Sequence, residues 1–317
     1  MQKSSLVESG CIFIRILPNQ PKGQRTNPQN METTELLKRV RRIEIKTKGL
    51  SRQIFSGEYQ SAFKGRGMSF SEVRGYQYGD DVRNIDWNVT ARSNEPYVKV
   101  FEEERELTVM LLVDISKSSF FGTTKQLKNE LITEICAVLA FSATNNNDKV
   151  GLLLFSDKVE KFLPPKKGRG HILRIIRELL DTRPTGTGTD IGMALTYFTN
   201  MVKKRSICFL LSDFLADGYE KPLRIAARRH DLIGMHLYDP RERELPAVGL
   251  IHARDAETGL AQWVDTDSRR VRKHYTDWYT KNMDYHKNAF QKSGADSMSV
   301  ETTEDYTKAL LKFFKGR

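Results

Sequence analysis

Leu107-Thr108-Val109-Met110-Leu111-Leu112-Val113-Asp114-Ile115-Ser116-Lys117-Ser118 decides how the rest of this chain is read. Leu107 to Val113 is an almost unbroken apolar run. Such a run, without polar alternation, predicts a strand buried on both faces, as in parallel sheets. Asp114 ends it abruptly, and a carboxylate stranded at the end of a buried strand is costly to desolvate. In open parallel sheets, ligands collect beyond the carboxyl ends of the strands, near a topological switch point. The Asp-x-Ser-x-Ser spacing points Asp114, Ser116 and Ser118 the same way if the segment stays extended.

The pattern continues on the C-terminal side. Leu127, Leu131, Ile135, Val138 and Leu139 predict a helix over Thr124 to Asn145. Lys149 to Phe155 reads as a second buried strand, and Val159 to Leu163 as an edge strand closed by Pro164 and Pro165. Helices follow at Gly170 to Leu180 and Ile191 to Val202, then a strand at Ser206 to Leu211. Next come a helix at Pro222 to Arg229 and a strand at Leu232 to Leu237. Leu250 to Ala253 and Ala261 to Val264 flank Glu257-Thr258-Gly259 as a hairpin. A helix at Val271 to Phe290, a strand at Ser297 to Val300 and a helix at Tyr306 to Phe314 complete the chain. Strands alternating with helices predict a three-layer, doubly wound α/β domain with a mainly parallel sheet over residues 105–317.

Residues 31–104 read as a smaller α+β segment. Lys38 to Arg52 combines seven cations with Leu36, Leu37, Val40, Ile43 and Leu50 at helical spacing, which predicts an amphipathic helix with a cationic outer face. Gly79-Asp80-Asp81 reads as a turn into a short helix capped by an Asp. Around it, Arg83 is expected to pair with a neighbouring acid and Trp87 to pack. Tyr97 to Glu103 alternates as a strand. Residues 1–30 carry no period and cluster Gly, Pro, Asn and Gln, so disorder is expected there, with Met31 as the expected natural start.

Composition narrows the function. A length of 317 residues suggests about two domains. No apolar run approaches the roughly 18–20 residues that cross a bilayer, and Cys11 to Leu17 is too short for a secretory signal. Three cysteines, Cys11, Cys136 and Cys208, make no disulfide framework, so a reducing cytoplasmic setting is expected. The net charge of +11 invites an acidic partner, an anionic surface or nucleic acid. No helix-turn-helix, RNP motif or zinc finger accompanies it, so no specific nucleic acid is expected. Lys166, Lys167 and Arg169 lead into a helix start, where backbone N–H groups favour anions, and mark a candidate contact for an acidic partner loop. Walker A, Gly-x-Ser-x-Gly and HExxH motifs are all missing from the sequence. No acid–base pair stands out, and the chain is not expected to be an enzyme.

Three loops converge on one edge of the expected sheet: Asp114 to Ser118, Thr185-Gly186-Thr187-Gly188-Thr189-Asp190, and Ser212-Asp213. Taken singly, Asp114 or Asp213 reads as a helix cap. The ordered set reads as a site for a hard divalent cation. Two carboxylates and the loop hydroxyls suit Mg²⁺ (or Mn²⁺), which prefers about six oxygens and retains open or water-filled positions.

Asp114-Ile115-Ser116-Lys117-Ser118, Thr189-Asp190 and Leu211-Ser212-Asp213 resemble the metal-ion-dependent adhesion site of von Willebrand factor A domains. The resemblance implies that Ser116, Ser118 and Thr189 ligate the ion directly, that Asp114 and Asp213 act mostly through water, and that a partner carboxylate completes the shell. The segments Gly57 to Ser61, Gly65 to Gly67, Glu72 to Arg74, Tyr76 to Trp87, Ala91-Arg92 and Phe101 to Glu106 resemble the signature of the domain of unknown function 58 family. That resemblance implies a short family member joined to a von Willebrand factor A-like domain, with MoxR-type AAA+ ATPases and other von Willebrand factor A proteins as partners and a link to aerotolerance-type operons. The expected function is a metal-dependent interaction module that works as an adaptor for such an ATPase. Two alternatives are a Mg²⁺-dependent phosphoesterase or nuclease on the same oxygens, and a basic scaffold for nucleic acid or membrane. Gly122 and the Thr185 to Asp190 loop are the expected points of movement at the metal edge.

Overall fold

The computed structural model describes residues 38, 40–45, 69–93, 95–102, 107–120, 127–254 and 261–317. The expectations for residues 1–30, Met31, Gly57 to Gly67, Gly122 and the Glu257 turn lie outside these residues, as does the end of the basic helix after residue 45.

The chain divides into two compact units, Phe63–Leu107 and the remainder. In the smaller one, β1 (Ser69–Gly75) pairs antiparallel with β2 (Tyr97–Glu102). The Gly79 turn has φ 107°, a conformation that favours glycine. Asp81 caps the short 3₁₀ turn Val82–Asn84 and pairs with Arg83 at 2.8 Å. Arg74 grips Asp80 through two hydrogen bonds of 2.7 and 2.8 Å. Trp87 departs from expectation. It opens the helix α1 (Trp87–Ser93), none of whose residues is buried, and is 70% exposed.

The larger unit is built on a six-stranded sheet. Its strands are β3 (Thr108–Asp114), β4 (Lys149–Phe155), β5 (Val159–Lys166), β6 (Ile207–Ser212), β7 (Asp231–Tyr238) and β10 (Asp296–Glu301). Their spatial order is β10-β7-β6-β3-β4-β5, parallel except for the β4–β5 pair. The edge strand β5 runs through Pro164 and Pro165 to Lys166 rather than stopping before them. Proline is tolerated on an edge because no ladder partner there needs its missing N–H. A separate hairpin, β8 (Leu250–Arg254) with β9 (Ala261–Asp265), matches the expected one.

Helices cover both faces, giving the expected three layers. They are α2 (Lys128–Asn145), α3 (Arg169–Asp181), α4 (Ile191–Met201), α5 (Glu220–Arg229), α6 (Arg269–Ser293) and α7 (Tyr306–Lys315). Alternation along the strands sorts the core. Met110 and Leu112 of β3, with Cys208 and Leu210 of β6, pack against Leu195 and Phe198 of α4, Leu223 of α5 and Phe290 of α6. Val109, Leu111 and Val113 point to the other face, where Phe209 meets Phe314 of α7 edge to face at 6.4 Å. Burial raises the Cys136 and Cys208 thiols, so both pack as unreactive hydrophobes. Among the described residues, no helix is long and apolar enough to cross a membrane.

The sheet order creates the switch point that positions the site. From β3 the chain moves outward to β4 and β5, then returns to β6 on the other side of β3 and continues to β7 and β10. Val113 is registered on Leu211, so Asp114 and Ser212 end neighbouring strands whose connections leave in opposite directions.

Candidate metal centre

Asp114 emerges at the end of β3 only 1% exposed. Its Oδ1 accepts the Ser116 N–H at 2.9 Å, which curls the following segment into a turn. Its Oδ2 accepts the Ser212 hydroxyl from β6 at 2.7 Å. Ser119 donates to its backbone carbonyl at 2.9 Å. The turn leaves the Ser116 and Ser118 hydroxyl oxygens 2.9 Å apart, both buried. Asp213 is 7% exposed and accepts from the Leu215 N–H at 3.3 Å and from the Ser118 hydroxyl. Asp114, Ser116, Ser118 and Asp213 are thus brought together, and Ser212 joins them.

The loop that carries Thr189 is tied to the sheet beside the end of β4. Asp190 N–H donates to the Ser156 carbonyl beyond β4 at 2.9 Å, while its carboxylate caps α4 through the Met193 N–H at 2.7 Å. Glu160 accepts from Thr185 N–H, Thr185 hydroxyl and Gly186 N–H at 2.7 to 2.8 Å. Burial alone would raise this carboxyl, but these bonds and one from Ser156 outweigh it and hold the pKa at about 2. Glu160 therefore stays ionised and clamps the glycine-rich loop at neutral pH.

Two charged residues that the sequence reading had not singled out complete the site. Lys128, at the start of α2, is 1% exposed. Its ammonium lies 3.3 Å from Asp213 Oδ2 and 2.6 Å from Glu242 Oε1. Glu242, 3% exposed, sits on the one-turn helix Pro240–Arg243 after β7, where its Oε2 accepts from Asp239 N–H at 3.0 Å in a capping box. Burial works against the Lys128 charge, but Glu242 and Asp213 hold its pKa above the ordinary value. Burial likewise opposes the Asp213 charge, and chiefly Lys128 keeps that pKa low. Asp114 goes the other way: burial and then the Asp213 charge push it up to about 6. A signal for Lys128 existed in the sequence. It shares the 128, 131, 132, 135 stripe with Leu131, Ile132 and Ile135, which is the buried face of α2.

The donor set fits a hard divalent ion. The side chains that hydrogen-bond to Asp114 and Asp213, Lys128 apart, are the hydroxyls of Ser212 and Ser118, with Ser116 beside them. Metal–oxygen bonds of about 2.1 Å in octahedral geometry place adjacent ligand oxygens about 3 Å apart, and the two serine hydroxyls stand at 2.9 Å. Among the described residues, no group of three or more His, Cys, Asp or Glu is placed to hold a metal ion, so an ion here would depend on the serine hydroxyls beside the carboxylates.

The basic run divides. Arg169 Nε donates to Glu44 at 2.7 Å, which ties the segment at residues 40–45 to α3. Lys166 and Lys167 are exposed. Of the basic helix, Lys38, Arg41 and Arg42 lie exposed, opposite buried Val40.

The fold is a doubly wound α/β domain around a six-stranded, mainly parallel sheet. The chain belongs to the family described as protein of unknown function DUF58, whose model matches residues 72–285. It is 28% identical over 298 residues to the uncharacterized protein Rv1480 of Mycobacterium tuberculosis, covering 91% of this chain and 92% of that one. It is also similar to the solved structure of an aerotolerance-related membrane protein from Bacteroides fragilis, with TM-score 0.45 and 16% identity over 67% of this chain and 100% of that one. A further likeness is to proximal thread matrix protein 1 from the mussel byssus with a zinc-occupied MIDAS motif. There the TM-score is 0.38 and the identity 14%, covering 66% of this chain and 46% of that one.

Proposed function

We propose that this chain is a metal-ion-dependent protein-interaction module. Ser116, Ser118 and Thr189 hold Mg²⁺ or Mn²⁺ directly, Asp114 and Asp213 hold it mostly through water, and an open position receives a carboxylate from an acidic partner loop. The bound ion supplies a focused positive charge at the sheet edge. The chain's own part is to fix the oxygens, and the hydroxyl pair at 2.9 Å beside two buried carboxylates carries this reading. The proposal is of binding rather than turnover, because the direct ligands are hydroxyls rather than an acid–base pair. As partner we propose a MoxR-type AAA+ ATPase in the cytoplasm, with this chain as its adaptor. Lys166 and Lys167, exposed beside the α3 start, add attraction for an acidic loop.

The test is capture from source-cell lysate by tagged full-length wild type and Asp114→Ala, each in Mg²⁺ and in EDTA, with mass spectrometry of the retained proteins. An AAA+ ATPase held by wild type in Mg²⁺ alone is the expected result. The same proteins retained in all four samples would move the contact away from the metal edge.

A further inference from the structure

We infer that Lys128 is a resident cation that competes with the divalent ion for Asp213, and that Glu242 sets the metal affinity by drawing Lys128 away. This deepens the proposed metal-binding reading and rests on it.

The geometry is that of a shared ammonium. Lys128 Nζ lies between two carboxylates from different elements, 2.6 Å from Glu242 on the turn after β7 and 3.3 Å from Asp213 after β6. All three side chains are at most 6% exposed, so water does little to screen them. A divalent ion that draws on Asp213 meets the ammonium at close range, and like charges in a buried site repel strongly. The repulsion is tolerable only if Lys128 keeps a negative partner of its own. Glu242 is seated to be that partner. Its Oε2 accepts from the Asp239 N–H, and its backbone carbonyl accepts from Tyr275 Oη at 2.9 Å, so the residue is held from two sides. Glu242 is a positioning residue, acting on the metal through Lys128. The shorter ion pair already falls on the Glu242 side.

The ordering of affinities tests this. Mn²⁺ binding to the full chain would be titrated by calorimetry and by electron paramagnetic resonance, for wild type, Glu242→Gln and the double variant Lys128→Met/Glu242→Gln. Glu242→Gln keeps an oxygen for Asp239 N–H but leaves Lys128 leaning on Asp213. Its Mn²⁺ affinity is expected to fall at least tenfold. The double variant removes the competing cation and its partner together, and its affinity is expected to rise about tenfold above wild type. A structural role alone would lower both or change neither, and either of those results overturns the inference. Should the double variant fail to fold, an unchanged affinity in Glu242→Gln is sufficient to overturn it. Asp114→Asn separates the two levels of the argument. Wild-type binding that this variant leaves intact, or no wild-type binding at all, overturns the metal-site reading and the inference with it. Binding lost in Asp114→Asn but indifferent to Glu242 overturns the inference alone.

Discussion

Gly186 shows how much a single missing side chain can decide. A Cβ at that position would overlap the Asp157 carboxylate and the Ser156 hydroxyl. Both are side-chain ends able to turn away, but turning gives up the bonds they hold: Ser156 Oγ to Glu160 at 2.7 Å and Thr187 N–H to Asp157 at 3.2 Å. Gly186→Ala is therefore expected to cost about 1–2 kcal/mol, the worth of one or two such bonds. It should also weaken Mn²⁺ binding, because Thr189 rides on the same loop. Urea unfolding beside a Mn²⁺ titration checks both, and wild-type values in both would show that the clamp does not hold the loop. Phe214 makes the opposite case. It sits in the left-handed region, φ 54°, where a bulky side chain costs about 1–2 kcal/mol. Its ring is fully buried, 4.2 Å from His286 and 5.3 Å from Phe290, and that packing sustains the strained turn next to Asp213.

Between elements, the seating of α6 on β7 depends on Gly234. A Cβ there would run into the Phe290 ring. That ring is braced by Phe214 and by His286 at 4.6 Å, so it has little room to retreat. Gly234→Ala should push α6 outward and destabilise the larger unit by about 1–3 kcal/mol, the usual cost of overpacking. Thermal unfolding followed by circular dichroism reads this directly. A midpoint equal to wild type would mean that α6 yields without loss. The same element bears on the metal edge, since Tyr275 of α6 holds the turn carrying Glu242.

For the whole molecule, buried histidines set a pH limit. Burial and then Arg229 and Arg205 depress His230 from 6.5 to about 4. Burial and then Lys287 do the same to His286, also to about 4. Both imidazoles are at most 4% exposed and stay neutral in the folded chain. The unfolded chain binds their protons first, so this contribution is complete above pH 6.5 and is lost as pH falls from 6.5 towards 4. Urea midpoints should be flat above that window with respect to these groups and decline within it. Imidazole proton resonances of His230 and His286 that titrate near 6.5 in the folded chain would contradict the assignment.

Much of the architecture was legible in the chain because it is local. Buried strands, their edge partner and the hairpin follow from apolar runs and alternation, which depend on near neighbours. The placement of Asp114, Ser116, Ser118 and Asp213 at one sheet edge was readable because they follow the ends of such strands closely. Ser212 ends β6 next to Asp213, but its bond to Asp114 spans 98 positions, and that of Lys128 to Asp213 spans 85. These contacts exist only because β6 lies beside β3 and α2 returns over the sheet. The Arg169–Glu44 link spans 125 positions and was equally invisible. Trp87 failed in the reverse sense, since an aromatic predicts burial only if some surface arrives to cover it. The sequence by itself determined which segments are strands and helices and which oxygens end them, through periodicity and composition. Only the tertiary structure decided which charges meet at that edge, because strand order brings together groups that the chain keeps far apart.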